Sequence, residues 1–237
     1  MVFSGISIAT LTLLGILPSN IYTLNVYTIH IIIVTSVLTI TVTDWAIFDT
    51  QRKTINAYKD PGTGLPNFNF LVNGFDRDLK GKITDGDRDV YFAVVGLTGI
   101  SALMKVFGIE APRSVREQFL GRLKSVFGNI DEIVKVQVSD REESRFFSVP
   151  GNNIAFMIQD GKSLSVVKHA LMSIEKPFSV IGVQVDIAIN AGFDLLYKAD
   201  SNKIKPINES YLLANQALAN GIRTGMQFEV YEHNSKN

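Results

Sequence analysis

The stretch Asp60-Pro61-Gly62-Thr63-Gly64-Leu65-Pro66-Asn67 decides how this chain is read. Its two prolines and two glycines stop any helix or strand running through it, so Asp60 begins a turn. It also follows a change in composition. All 23 basic and all 23 acidic residues of the 237-residue chain lie at Asp44 or later. The formal net charge is zero, so nothing global draws the chain to nucleic acid, and no nucleic-acid partner is expected. A hydrophobic content of 46% is ample for a full core. With no cysteine, disulfides and thiolate metal sites are excluded, which suits a reducing cytoplasm.

Upstream, Ile21 to Thr43 is uncharged and rich in Ile, Val, Leu and Thr. A helix there would be about 35 Å long, enough to cross a bilayer. Tyr22 and Tyr27 near one end and Trp45 near the other fit interfacial aromatic positions, and Arg52-Lys53 would keep the next domain in the cytoplasm. The segment Val2 to Leu17 is shorter and is punctuated by Gly5, Gly15 and Pro18, a weaker span. Residues 1–43 therefore read as one or two transmembrane segments: a membrane hairpin first, then a single span with an apolar leader, then structure buried in protein. A secretory signal is disfavoured, because there is no basic leader and Leu17-Pro18-Ser19 is not a small-residue cleavage site. Residues 44–59, with Trp45, Ile47, Phe48, Ile55 and Tyr58 among polar neighbours, read as a helical connector.

Downstream, the periodicity predicts a helix over Phe68–Leu79, a Gly- and Asp-rich loop over Gly81–Asp89, a strand over Val90–Val95 and a helix over Ser114–Phe127. It then predicts a strand over Ile133–Val138 and a hairpin whose arms, Arg145–Val149 and Ile154–Ile158, flank Pro150-Gly151-Asn152-Asn153. A helix over Ser163–Ile174, a strand over Val183–Ala191, a helix over Glu209–Asn220 and a strand over Phe228–Tyr231 complete the chain. No repeat or linker divides 60–233, which is taken as one α/β (α+β) domain.

Asp60–Asn67 resembles the opening DxLTGLPNR motif of GGDEF domains, the diguanylate cyclase family. The resemblance runs to Tyr231. Lys176-Pro177-Phe178 followed by Gly182 is similar to the family's PF…G, Asn190-Ala191-Gly192 stands where its SIG sequence belongs, and Leu212-Leu213, Ala217, Gly225 and Tyr231 resemble its closing pattern. The family fold this implies is a mixed, mainly antiparallel sheet flanked by helices, related to the class III nucleotide cyclase palm.

The same resemblance implies that the chemistry has gone. Two divalent cations on a triphosphate need carboxylate oxygens, because a neutral amide supplies no charge against the desolvation of Mg²⁺. Here the name-giving motif is Pro150-Gly151-Asn152-Asn153-Ile154, with amides in place of both acids, and the metal-binding Asp at the end of the first strand becomes Gly96. The guanine-reading Asn falls on Met104, a later Asp on Arg113, and the phosphate-side Lys on Ile222, with Arg223 adjacent as a weak substitute. Of the family's RxxD product-inhibition motif, Arg141-Glu142-Glu143-Ser144 keeps the Arg and lacks the Asp. Gly151 still suits a turn that needs positive φ. Asp85, Asp87 and Asp89 lack the glycine and distal Glu offsets of a calcium loop and read as a solvated turn. His30, His169 and His233 are too scattered for a metal site or catalytic dyad. No cofactor and no metal are expected.

The sequence thus predicts a membrane-anchored, catalytically inactive GGDEF-like regulatory or dimerisation module, in the bacterial inner membrane with its C-terminal domain in the cytoplasm. Residual cyclase activity and non-catalytic GTP sensing are the alternatives. The family implies a homodimer or an EAL-type phosphodiesterase as partner. Degenerate domains of this kind commonly precede EAL domains, so a chain ending at Ser235-Lys236-Asn237 reads as the front part, or a truncated relative, of such a protein.

Overall fold

A computed structural model describes residues 21–74, 80–84, 88–139, 142–159 and 163–231. The chain divides into two compact units, Met1–Ile55 and Asn56–Asn237.

The described residues of the first unit are helical, part of α1 (Ile21–Tyr58), which covers the expected connector up to Tyr58. Within it, Thr28–Ile47 is long and apolar enough to cross a membrane. The β-branched run that could have formed a strand is helical, and its hydroxyls are satisfied inside the helix: Thr39 Oγ1 donates to Thr35 O at 2.8 Å, Thr41 Oγ1 to Val37 O at 2.8 Å and Thr43 Oγ1 to Thr39 O at 2.7 Å. Such back-bonding removes the polar groups a hydrocarbon solvent would penalise. Ile29, Ile32, Ile40, Val42 and Trp45 stand exposed along it. The expected first segment, Val2 to Leu17, lies outside the described residues.

The second unit is built on a six-stranded sheet. Its strands are β1 (Val90–Thr98), β4 (Phe147–Val149), β5 (Asn153–Gln159), β8 (Ala188–Lys198), β9 (Lys203–Ile204) and β10 (Phe228–Val230), in the order β10-β8-β1-β5-β4 with β9 paired to β8. All pairs are antiparallel except β10 with β8. The short helices α2 (Phe68–Gly74) and α3 (Lys80–Thr84) precede the sheet, α4 (Ile100–Phe107) and α5 (Ala111–Phe127) follow β1, and α6 (Ser163–Ile174) and α7 (Ile207–Thr224) come later. Because side chains alternate across a strand, β1 sends Ala93 and Val95 to a core shared with α5 and α6, and Phe92 and Val94 to a second core shared with α2 and α7. Burial on both faces is why this strand reads as a continuous apolar run.

Several expectations are corrected. Asp85 and Asp87 of the acidic loop are outside the described residues, as are 75–79 of the expected first helix. Lys80–Thr84, which overlaps the expected loop, is helical. The expected strand at Ile133–Val138 shrinks to β2 (Val136–Ser139), because β4 already occupies the outer edge of β5 at Asn153–Ala155. Ile133 only bridges Ile158, and the chain then leaves the sheet to pair β2 with β3 (Glu142–Ser144). The expected strand at Val183–Ala191 is two elements. β7 (Val183–Val185) folds back on β6 (Phe178–Val180) through Ile181-Gly182, both at positive φ, and β8 starts afresh at Ala188.

Asp194 is a finding of the structure alone. Its carboxylate is 1% exposed and accepts from Lys205 Nζ at 2.8 and 3.0 Å, pinning the turn after β9 to the middle of β8. Removing one partner strands the other, but Lys205 keeps a route to water, which places the cost of Asp194→Ala below the full buried-pair penalty, at about 2–3 kcal/mol. In a domain of this size that corresponds to a melting temperature lower by roughly 5–10 °C. A thermal melt of this variant with an unchanged midpoint would show that the pair contributes nothing net.

Candidate functional site

The opening turn is held by its own polar atoms. Asp60 O accepts from Gly64 N at 2.8 Å, and Asp60 Oδ2 accepts from Thr63 N at 3.0 Å and Thr63 Oγ1 at 2.6 Å. Leu65 is thereby buried against the core, and Asn67 Oδ1 receives Phe70 N at 3.0 Å as the cap of α2.

Gly96 meets Asn153, with Asn152 next to it in the chain. The β1–β5 register pairs Val95 with Ile154, which places Gly96 beside the hairpin. A Cβ built on Gly96 would lie 2.7 Å from Asn153 Oδ1 and 3.3 Å from Leu218 Cδ2 of α7. The turn Pro150–Asn152 holds Gly151 at φ 84° and Asn152 at φ 63°, the left-handed region that Gly and Asn tolerate. Tyr211 closes one side, its hydroxyl 3.5 Å from Pro150 O and its ring 4.6 Å from that of Phe68. Burial pushes the Tyr211 phenol above its usual range, so it stays a neutral donor. At the end of β1, Thr98 Oγ1 donates to Asn190 Oδ1 at 2.7 Å.

The remaining candidates stand elsewhere. Met104 and Ile222 are exposed apolar side chains, at 50% and 43%. Arg113 is paired with Glu117 at 3.0 Å on the surface of α5. Arg223 lines a cleft of about 760 Å³ between α7 and β10, where its Nη2 donates to Asn220 Oδ1 at 2.5 Å and Asn220 in turn donates to Glu229. Arg141 lies outside the described residues. The segment beside it is ordered by Arg145, which donates to Phe127 O at 2.8 Å and to Gly128 O at 2.5 Å. Asp89 has a structural task, accepting Ala199 N at 2.9 Å.

Sequence reasoning missed α4, whose signal was present: Gly99 and Gly108 bracket Ile100, Leu103 and Phe107 at helical spacing. Nor did it foresee the Asn220–Glu229 and Thr98–Asn190 contacts, which join residues of different elements.

No known family profile and no curated protein matches the sequence. Solved structures do. The coiled coil and GGDEF domain of DgcB from Caulobacter crescentus, in complex with c-di-GMP, superposes with a TM-score of 0.61 at 14% identity, covering 84% of this chain and 98% of that one. The fold is GGDEF-like. The FimX GGDEF domain from Pseudomonas aeruginosa gives a TM-score of 0.57 at 17% identity, with 73% and 98% covered. The diguanylate cyclase SiaD from the same organism, in complex with its activator SiaC, gives 0.56 at 12% identity, with 86% and 74% covered.

Gly96, Asn152 and Asn153 offer a divalent cation no carboxylate. Gly96 has no side chain, the neighbouring space holds the Asn153 amide, and Asn152 and Asn153 bring no charge. Among the described residues, no group of three His, Cys, Asp or Glu is placed to hold a metal ion.

Proposed function

We propose that this chain is a catalytically inactive GGDEF-like module of cyclic di-GMP signalling, regulatory or dimerising in role. In this reading it is tethered to the bacterial inner membrane through Thr28–Ile47, with the second unit in the cytoplasm. The observation that carries the proposal is the convergence of Gly96, Asn152 and Asn153 at the hairpin, where cation-assisted attack on a triphosphate requires carboxylates. The hairpin shape is kept while its charge is absent, which fits selection for a surface and not for turnover. The structural neighbour SiaD is found in complex with a protein activator, SiaC, and a protein partner is the reading favoured for this chain.

A GTP sensor is the second reading, favoured by Arg223 at the mouth of the α7–β10 cleft. Without carboxylates to hold Mg²⁺ and with Ile222 in place of a lysine, two or three charge-assisted contacts are missing, each worth about 1.5–3 kcal/mol. That lowers affinity by several orders of magnitude. Titrating the detergent-solubilised chain with GTP and Mg²⁺ should give no saturable heat up to about 1 mM. A low-micromolar dissociation constant that Arg223→Ala abolishes would replace the scaffold reading with the sensor one.

The tether is tested separately. An apolar span is held by burial and not by surface charge, so the chain should stay in the membrane fraction through a high-salt wash and leave it only with detergent. Release by salt alone would contradict a spanning helix.

A further inference from the structure

The cleft of about 760 Å³ between α7 and the edge strand β10 carries both signs of charge. Asn220 and Arg223 stand three positions apart on α7, so they share one face of the helix. Glu229 of β10 reaches them because Gly221 leaves room: a Cβ there would lie 2.9 Å from Met226 O and 3.6 Å from Glu229 Oε2. The two charges do not pair directly. Arg223 Nη2 donates to Asn220 Oδ1 at 2.5 Å and Asn220 Nδ2 donates to Glu229 Oε1, so a neutral amide holds cation and anion apart. Among the described residues, the other N–H groups of Arg223 have no acceptor in the protein, and Glu229 Oε2 is buried with no donor.

We infer that this cleft binds a small zwitterion, an α-amino acid with an apolar side chain. Its ammonium donates to Glu229, its carboxylate accepts from Arg223, and its side chain lies along Met226, Phe228 and Val230, the apolar part of the lining. The physical basis begins with the orphaned oxygen. A buried carboxylate oxygen without a donor costs free energy that a ligand N–H recovers. The last torsion of a glutamate is broad, so a small rotation presents that oxygen to the cleft. Spacing decides the ligand class. The amide separates the two charges by about 7 Å, roughly the span of an ammonium and a carboxylate on one carbon with a charge-assisted bond of about 2.8 Å at each end. A simple amine leaves Arg223 unanswered, and a simple acid leaves Glu229 so. The inference is separate from the GTP reading, because a triphosphate on Arg223 would bring negative charge up to the Glu229 carboxylate. It is also independent of the hairpin, none of whose residues lines this cleft.

The test is differential scanning calorimetry of the 237-residue chain in detergent, with L-leucine, L-methionine or L-phenylalanine as probe. A ligand in tenfold excess over its dissociation constant raises the melting midpoint by about 3 °C, and that shift is expected from at least one of the three at about 20 mM. Glu229→Gln keeps an acceptor for Asn220 and removes the charge, and Arg223→Gln removes the other end. Measured against each variant's own melt without ligand, the shift should fall below about 1 °C in both. Arg113→Gln, on the surface of α5, should leave it whole. Glycine betaine, which carries both charges and no N–H, should give no shift, nor should ethylamine mixed with acetate. A shift from none of the three amino acids, one that survives Glu229→Gln and Arg223→Gln, or an equal one from betaine or from the mixture would overturn the inference. So would a shift from GTP that Glu229→Gln removes, which would assign the cleft to a nucleotide.

Discussion

Gly192→Ala is expected to abolish the folded second unit. Gly192 lies in the middle of β8 where α7 crosses it, and a Cβ there would stand 2.0 Å from Ala214 O, 2.3 Å from Leu218 N and 2.9 Å from Leu218 Cα. These are backbone atoms in the interior of a helix, so no rotamer change relieves the overlap. The helix has to lift off the sheet, and Ala214 and Leu218, both buried in the second core, lift with it. Ordinary overpacking costs about 1–3 kcal/mol, and a clash with fixed backbone belongs above that range, at about 4 kcal/mol or more. Against a total stability of roughly 5–15 kcal/mol, most of the native population is lost. The measurement is a circular-dichroism melt beside Gly121→Ala, whose added Cβ meets nothing within 4 Å on the surface of α5. That control should be stabilising by about 0.5–1 kcal/mol, since it replaces glycine inside a helix. A Gly192→Ala chain melting like the parent would mean that α7 does not sit on β8 in this way.

This close crossing also shows what the sequence could and could not disclose. Asn190-Ala191-Gly192 carries a family resemblance, but nothing local says that a helix crossing at Ala214 and Leu218 needs the missing side chain. Elements with one strong local signal were legible: the apolar run Val90–Val95 lies within β1, Ser163–Ile174 is α6 with those ends, and Pro150-Gly151 turns the hairpin. Val183–Ala191 failed because β-branched residues mark extended backbone without saying which partner pairs it. Ile181-Gly182 closes a tight hairpin that takes Val183–Val185 away from the main sheet. At the site, the convergence of Gly96 with Asn153 is implied by the resemblance and is present in the β1–β5 register. The separation of Arg223 from that point is a matter of helix phase. Residues 218 and 222 lie one turn apart on one side of α7, and Arg223 with Asn220 lines the cleft toward β10.

The second large effect concerns catalysis. Metal-assisted phosphoryl transfer derives most of its acceleration from charge placed on the reacting phosphate, and losing such groups costs several orders of magnitude in rate. Reinstating the acids as Gly96→Asp, Asn152→Asp and Asn153→Glu is expected to recover almost nothing. A Cβ at position 96 would enter space that the side chain at 153 now fills at 2.7 Å, and the longer glutamate aggravates the crowding. Even with cations bound, Met104 and Ile222 still offer a nucleobase and a phosphate no polar group. Recovery to the turnover of an active cyclase would show that the hairpin acids are the whole of the difference.

Most direct is synthesis by the unaltered chain. The 237-residue chain in detergent, given GTP with Mg²⁺ or with Mn²⁺, is followed by mass spectrometry for cyclic di-GMP. The expected result is a yield equal to that of a blank without protein, at both metals. Product above the blank that disappears on Asn153→Ala would contradict the central claim, and would make Gly96, Asn152 and Asn153 part of a working site.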